Sequence, residues 1–395
     1  MYSTSLNNLL MIHRFILNET SFFGPGARKE LPGAIRGLGK SKVLVVTDKG
    51  LLQFGVAKMV TDVLDEAGIS YKIFSEVKPN PTVSNVKAGI DAFKRAQADI
   101  LVAIGGGSSI DTAKAIGIVM ANPEFSDIIS LEGSAPTKNK SVPIIALPTT
   151  AGTAAETTIN YVIIDEEKQK KKMVCVDPND IPAVAIIDAE LMYSLPKGLT
   201  AATGMDALTH SIEGYITKGA WELSDMFEIE AIRMISRYLP MAVSDPKNPE
   251  GRNGMAVAQY VAGMAFSNVG LGLVHGMAHP LGALFDIPHG VANAVLLPTV
   301  MEFNMPYCTT KYRHIAEAMG IDTSSMNDDE AAQAACNAVK QLSQNVGIPA
   351  TLTELGITEE NIPALTQQAL EDVCTPGNPR PVTHDEVANI YRSLL

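Results

Sequence analysis

At 395 residues the chain is too long for one ordinary hydrophobic core, and its 46% hydrophobic content excludes a disordered protein and favours two well-packed domains. Its 31 basic against 43 acidic residues leave a net charge of −12, which argues against nonspecific nucleic-acid binding and suits a soluble cytoplasmic protein. Cys175, Cys308, Cys336 and Cys374 are widely spaced with no CxxC pair, so free thiols are expected rather than a disulfide framework or a cysteine-built zinc site.

MYSTSLNNLLMIHRF has no basic start ahead of a long apolar run, so it does not read as a signal peptide, and residues 1–10 read as a flexible extension. KVLVVTD (42–48) predicts a buried strand, and GLLQFGVAKMVTDVLDEAG predicts one helix ending at Gly68. SYKIFSEV (70–77) predicts the next strand, closed by the turn signal KPNPT. A helix over VSNVKAGIDAFKRAQA, strand plus loop over DILVAIGGG, a helix over SIDTAKAIGIVMA and a strand over VPIIALPTT (142–150) follow. Strands alternating with helices imply a mostly parallel, Rossmann-like sheet covered on both faces. Near DAELMYSLPKGLT the pattern changes to a 3.6-residue period, seen in FEIEAIRMISRYL, EAAQAACNAVKQLSQNV and IPALTQQALEDV. The expected division is an α/β domain over 1–190 and an all-helical domain over 191–395.

Three features of the first half point to a dinucleotide. After the strand DILVAI, Gly105, Gly106 and Gly107 lead into a helix expected to begin around Ser108 to Asp111, where close-lying N–H groups and the helix dipole suit a phosphate. No lysine directly follows these glycines, and Ile110 stands where a GxGxxG fingerprint needs glycine, so neither common phosphate motif applies. The plain alternative is a tight turn with Ser108 as helix cap. Asp48, at a strand end, suits the two hydroxyls of an adenosine ribose and disfavours a 2′-phosphate, although it serves equally as a cap. PTTAGTAAETT (148–158) adds a hydroxyl-rich loop after another strand. Lys168, Lys170, Lys171 and Lys172 read as a solvated hairpin from which one lysine can reach a ribose.

The second half carries a metal-ligand pattern. TGMDALTHSIEGY puts Asp206 and His210 four apart on one helix face, VHGMAH repeats the spacing with His275 and His279, and His289 follows Pro288. Each histidine alone reads as a hydrogen-bonded core residue. Two such pairs and a fourth histidine, His289, with no lysine or arginine between Arg252 and Lys311, read as a transition-metal site for iron(II), zinc or cobalt. Gly254 to Phe285 lacks charged residues and is long enough to span a bilayer, but Gln259, Ser267, Asn268 and two histidines favour buried helices around a polar site.

FILNET, GGGS, SLEGSAP, LPTTAGTAAETTINYVI, VCVDPNDIP, ALTHSIEGYITKGAW, AQYVAGMAFSNVGLGLVHGMAHPLGA and DVCTPGNPR together resemble the iron-dependent (group III) alcohol dehydrogenase family, from about Met11 to the C-terminus. The resemblance implies a dehydroquinate synthase-like architecture, a homodimer or larger assembly, and NAD(H)-dependent interconversion of a short-chain aldehyde and alcohol. Lactaldehyde and 1,2-propanediol come first; 1,3-propanediol, ethanol or methanol are the alternatives. It assigns Asp206, His210, His275 and His289 to Fe²⁺, with Zn²⁺ as a substitute, and sets His279 beside the metal for proton traffic. It assigns Asp48, Asn80, Gly105, Gly106, Gly107, Ser108, Thr149, Thr150, Thr153, Val162 and Lys172 to the cofactor, and Asn160, Phe266 and Cys374 to the substrate pocket. Ser109 departs from the proline many relatives carry after GGGS. A sugar-phosphate cyclase on the same scaffold would need a cationic grip on phosphate, yet no Lys or Arg lies between Arg252 and Lys311. A metal or nucleotide sensor would leave both sites unused.

Overall fold

A computed structural model describes residues 12–134, 137–166 and 171–395. The expected extension at 1–10 lies outside the described residues, as do Lys168 and Lys170. The chain divides into two compact units, Ile16–Leu195 and Pro196–Leu395, with residues 12–15 joining the second. The division falls inside DAELMYSLPKGLT but after residue 190, because a short turn at Ala189–Met192 buries Leu191 in the core of the sheet. Residues 12–15 side with the helices because His13 stacks on Trp221 (4.4 Å between ring centres) and Phe15 packs on Trp221 and Phe227.

The first unit runs β1 (Thr20–Phe23), α1 (Leu31–Gly37), β2 (Val43–Val46), α2 (Lys49–Gln53), α3 (Val56–Glu66), β3 (Tyr71–Phe74), α4 (Val83–Ala96), β4 (Ile100–Gly105), α5 (Gly107–Ala121), β5 (Gly133–Ser134), β6 (Ile144–Pro148), β7 (Asn160–Asp165), β8 (Lys171–Val176) and β9 (Val184–Ile187). Six strands form one parallel sheet in the order β1-β9-β6-β4-β2-β3. Every residue of β2, β4, β6 and β9 is buried, as an all-parallel sheet covered on both faces requires. In a second small sheet β8 pairs with β5 in parallel and β7 in antiparallel. The helix expected over 50–68 is broken in two. Gly55 takes φ +78 between α2 and α3, a turn conformation an L side chain resists, and Phe54 is left largely exposed.

The second unit contains α6 (Lys197–Ile216), α7 (Glu222–Ser244), α8 (Pro249–Val269), α9 (Leu273–Phe285), α10 (His289–Ala318), α11 (Asp328–Asn345), α12 (Ile362–Glu371) and α13 (His384–Ser393). From Met205 to Ile216, α6 is buried around its whole circumference. Polar groups carried there must find partners inside the protein. Among the described residues no single helix is long and apolar enough to cross a membrane; the uncharged stretch is two buried helices, α8 and α9, meeting at 102°.

Candidate metal centre and cofactor loop

Four side chains from three helices meet in the helical unit. Asp206 and His210 lie one turn apart on α6, His275 is on the first turn of α9, and His289 opens α10. One donor atom from each lies within 4.8 Å of all the others. Nε2 of His275 is 3.0 Å from Nε2 of His210, and Nε2 of His289 is 3.6 Å from Oδ1 of Asp206. Gly290 makes the α10 contribution possible: a side chain there would come within 2.3 Å of the Ala202 carbonyl of α6.

Surrounding groups fix the ligand state of these rings. His275 donates Nδ1–H to Oε2 of Glu213 at 2.6 Å, which leaves Nε2 with its lone pair. Glu213 also accepts the backbone N–H groups of Val274 (2.6 Å) and His275 (3.3 Å). Burial pushes the Glu213 carboxyl up to about 8, and these N–H groups oppose the shift. Burial lowers His210 to about 3, so its imidazole stays neutral, and its ring stacks on Phe266 with centres 4.2 Å apart. The donor set, three imidazole nitrogens and one carboxylate oxygen converging from rigid helices, fits iron(II), zinc or cobalt.

His279 stands beside this cluster. Its ring centre is 6.0 Å from that of His275 and 5.5 Å from that of His289. It donates Nδ1–H to Oδ2 of Asp372 at 2.7 Å, while Oδ1 of Asp372 accepts the Cys374 backbone N–H at 2.9 Å. Burial raises the Asp372 carboxyl, but His279 and the Cys374 N–H outweigh it and leave the group below the usual carboxylate range. Cys374 is half-buried, and desolvation pushes its thiol well above the ordinary thiol range.

In the α/β unit Asp48, the glycine loop and Thr149 follow β2, β4 and β6, which are adjacent in the sheet, so their carboxyl ends converge. Ligands of open α/β sheets bind at such ends. The helix starts earlier than expected: Gly106 is the N-cap of α5, and Ser108 lies inside the first turn rather than capping it. A cap carbonyl one residue after the strand accepts the Ser109 and Ile110 N–H groups at 3.1 and 3.3 Å and so tightens the turn. Thr150 and Thr153 lie against Gly106 and Gly107, where a side chain would approach them to 3.2 and 3.1 Å. Thr149 donates its N–H to the Gly105 carbonyl at 3.0 Å. Asp48 does act as a cap, its Oδ1 accepting the Leu51 N–H at 2.9 Å. Asn80 lies exposed after β3 with φ +51, and Asn160, Val162 and Lys172 lie on the antiparallel β7–β8 pair, while the expected hairpin turn at 167–170 lies outside the described residues.

Sequence reasoning missed five supporting residues. Glu213 was legible in principle, one turn beyond His210. Asn293, one turn beyond His289, shares the inner face of α10. Asp111 accepts the Val162 N–H at 3.1 Å; burial raises its carboxyl to about 7 against the pull of nearby Lys114. Lys114, wholly buried, donates to the carbonyls of Thr158 (2.6 Å) and Asn160 (2.8 Å). Asp372 sits in a turn where no spacing rule announces it.

Comparison with known proteins places these features in context. Residues 18–189 match the profile of iron-containing alcohol dehydrogenases, and residues 200–395 match the C-terminal part of the Fe-containing alcohol dehydrogenase family. The chain is 55% identical to lactaldehyde reductase of Escherichia coli K12, over 97% of this chain and 100% of that one. It is 43% identical to the NAD-dependent methanol dehydrogenase of Bacillus methanolicus, over 96% of this chain and 99% of that one. A crystal structure of 1,3-propanediol oxidoreductase superposes with a TM-score of 0.95 at 42% identity, covering 98% of this chain and all of that one.

Proposed function

Because this chain belongs to the iron-containing alcohol dehydrogenase family, we propose that it reduces lactaldehyde to 1,2-propanediol with NADH, and oxidises the diol in reverse. Hydride exchange between alcohol and aldehyde is the family activity, and the chain is an oxidoreductase of that kind. Lactaldehyde comes first because the reductase of that substrate shares 55% of its sequence with this chain, against 43% for the methanol enzyme. NAD(H) is supported by the NAD-dependent methanol relative and by the glycine loop at the carboxyl ends of the sheet.

One observation carries the metal reading: four donors from three helices within 4.8 Å, two of them imidazole nitrogens 3.0 Å apart. Asp206, His210, His275 and His289 would hold iron(II), with zinc as the substitute. When bound, the metal supplies Lewis acidity, easing deprotonation of an alcohol and polarising an aldehyde carbonyl. Glu213 keeps His275 in the ligand tautomer. His279 presents Nε2 for the proton that moves with the hydride, and Asp372 holds the ring by its Nδ1–H. Phe266 and Cys374 would border the substrate beside the metal. Gly105 to Ser108 with Thr149, Thr150 and Thr153 hold the diphosphate, and Asp48 takes the ribose hydroxyls with the oxygen left over from its cap. Asn80, Val162 and Lys172 complete the cofactor contacts.

The test is NADH oxidation by purified protein reconstituted separately with Fe²⁺ and Zn²⁺, comparing lactaldehyde, 3-hydroxypropanal and acetaldehyde. Turnover strongest with Fe²⁺ and lactaldehyde supports the whole reading. A stronger response to another aldehyde removes the substrate and keeps the reaction. No turnover with either metal removes both.

A further inference from the structure

Asn293 is wholly buried on α10, one turn beyond His289. Its amide nitrogen lies 2.7 Å from Oδ1 of Asp206, 3.1 Å from Nε2 of His275 and 3.2 Å from Nε2 of His289. These are donor atoms of three of the four side chains in the cluster. The amide oxygen is buried with no hydrogen-bond partner among the described residues.

The orientation of the amide is dictated by the carboxylate. Turned over, the amide would set its oxygen 2.7 Å from Oδ1 of Asp206, two acceptors in contact in a buried place, at a cost far above that of one unpartnered carbonyl. An NH₂ group facing a carboxylate oxygen and two imidazole nitrogens is a hydrogen-bond donor aimed at lone pairs that otherwise repel one another. We propose that Asn293 is a positioning residue that gathers Asp206, His275 and His289 into the metal-binding arrangement and keeps Asp206 oriented once the cation is bound. This rests on the metal reading above. The logic is that of any outer group holding a ligand: a carboxylate has lone pairs enough to bind a cation and still accept one N–H, so the Asn293 bond to Asp206 survives loading. Asparagine suits the position because it is neutral and donates. A lysine would compete with the metal for the same lone pairs.

The test measures metal affinity directly rather than turnover. Wild-type protein and Asn293→Leu, similar in volume but with no donor, are stripped of metal and titrated with Fe²⁺ anaerobically and with Zn²⁺ against a competing chelator. Melting temperatures are recorded with and without metal. The expected result is a Kd raised about 10- to 100-fold for both metals. The loaded variant should also lose more of its melting temperature than the stripped one. If the leucine variant does not fold, Asn293→Ala carries the same measurement. An unchanged Kd, or equal losses of melting temperature in stripped and loaded protein, reduces Asn293 to a packing residue and overturns the proposal. A tighter Kd overturns it in the opposite sense, making the amide a competitor of the cation. Wild-type protein that binds neither metal removes the underlying metal reading, a result distinguishable from all of these.

Discussion

In the helical unit the candidate site is made of side-chain lone pairs, four of them on buried helices; in the α/β unit it is made largely of backbone and small side chains at the ends of strands. Asp206, His210 and His275 are each at most 5% exposed, so every donor needs an internal partner and Glu213 and Asn293 supply two of them. The glycine loop needs none of this. The first N–H groups of any helix lack partners within it, so a short cap at Gly106 is enough to present them. The two halves should therefore fail differently: deleting a side chain abolishes function in one, whereas adding a side chain degrades it in the other.

The harshest test of that contrast is His275→Ala. Removing one lone pair of four should empty the site and lower turnover roughly 1,000-fold or more, since Lewis acid assistance is worth several kcal/mol. Metal analysis should find the variant depleted, while circular dichroism and NADH affinity stay near wild type. A fully active variant without metal would sink the assignment of these four residues.

Next comes Asp372→Asn, which leaves the four ligands in place and changes only the partner of His279. Because the carboxyl sits below the ordinary range, it is ionised throughout neutral pH and holds the Nδ1–H constantly. With an amide there, kcat should fall roughly 100-fold with metal content unchanged. Equal kcat would show that the ring needs no orientation. In the other unit, Gly106→Val brings a branched side chain onto Thr150, which even a bare Cβ would approach to 3.2 Å. NADH affinity should weaken about 10- to 100-fold by titration, with metal affinity untouched. A variant that binds NADH normally would move the cofactor away from this loop.

What was legible in the sequence follows the same contrast. Helical spacing put Asp206 and His210 on one face, and the structure gathers them with His275 and His289. The supporting residues were harder to read for a physical reason: Glu213 has the right spacing from His210, but a glutamate or asparagine in a helix reads as solvated until the helix is known to be buried all round, as α6 is. The central strands were visible as apolar runs, but β1 was not, since it pairs Thr20 with Val184 and nothing local announces so distant a partner. The break at Gly55 was hidden by an apolar period that continues through it, and the start of α5 was misplaced because serine is the commoner cap.

Asp48→Ala sharpens the contrast where the two explanations of one residue overlap. The cap bond to Leu51 is seen directly, so losing it should cost about 1 kcal/mol of stability. If the carboxylate also holds the ribose, KM for NADH rises about tenfold and NADPH becomes a better substrate than before. A loss of stability with both KM values unchanged would leave Asp48 as a cap alone.

The smallest effect on activity is expected from Glu228→Gln, which asks whether a buried acid in the helical unit is tolerable without a ligand to serve. Glu228 is wholly buried against Gly214, where the Ser211 hydroxyl only partly offsets the cost of burying its charge. Burial, reinforced by Asp225, pushes its pKa well above the ordinary 4.5. Below pH 4.5 the acid is neutral in both folded and unfolded chains and contributes no pH dependence. Above it the unfolded chain loses the proton that the folded chain keeps, so stability falls by up to about 1.4 kcal/mol per pH unit until the raised folded pKa is reached. Glutamine has no proton to lose. The variant should match wild type near pH 4 and become progressively more stable than it as pH rises towards 8 in denaturant melts, with kcat unchanged. Identical stability curves would mean that Glu228 ionises inside the fold, with Ser211 and Lys311 sufficing to hold its charge.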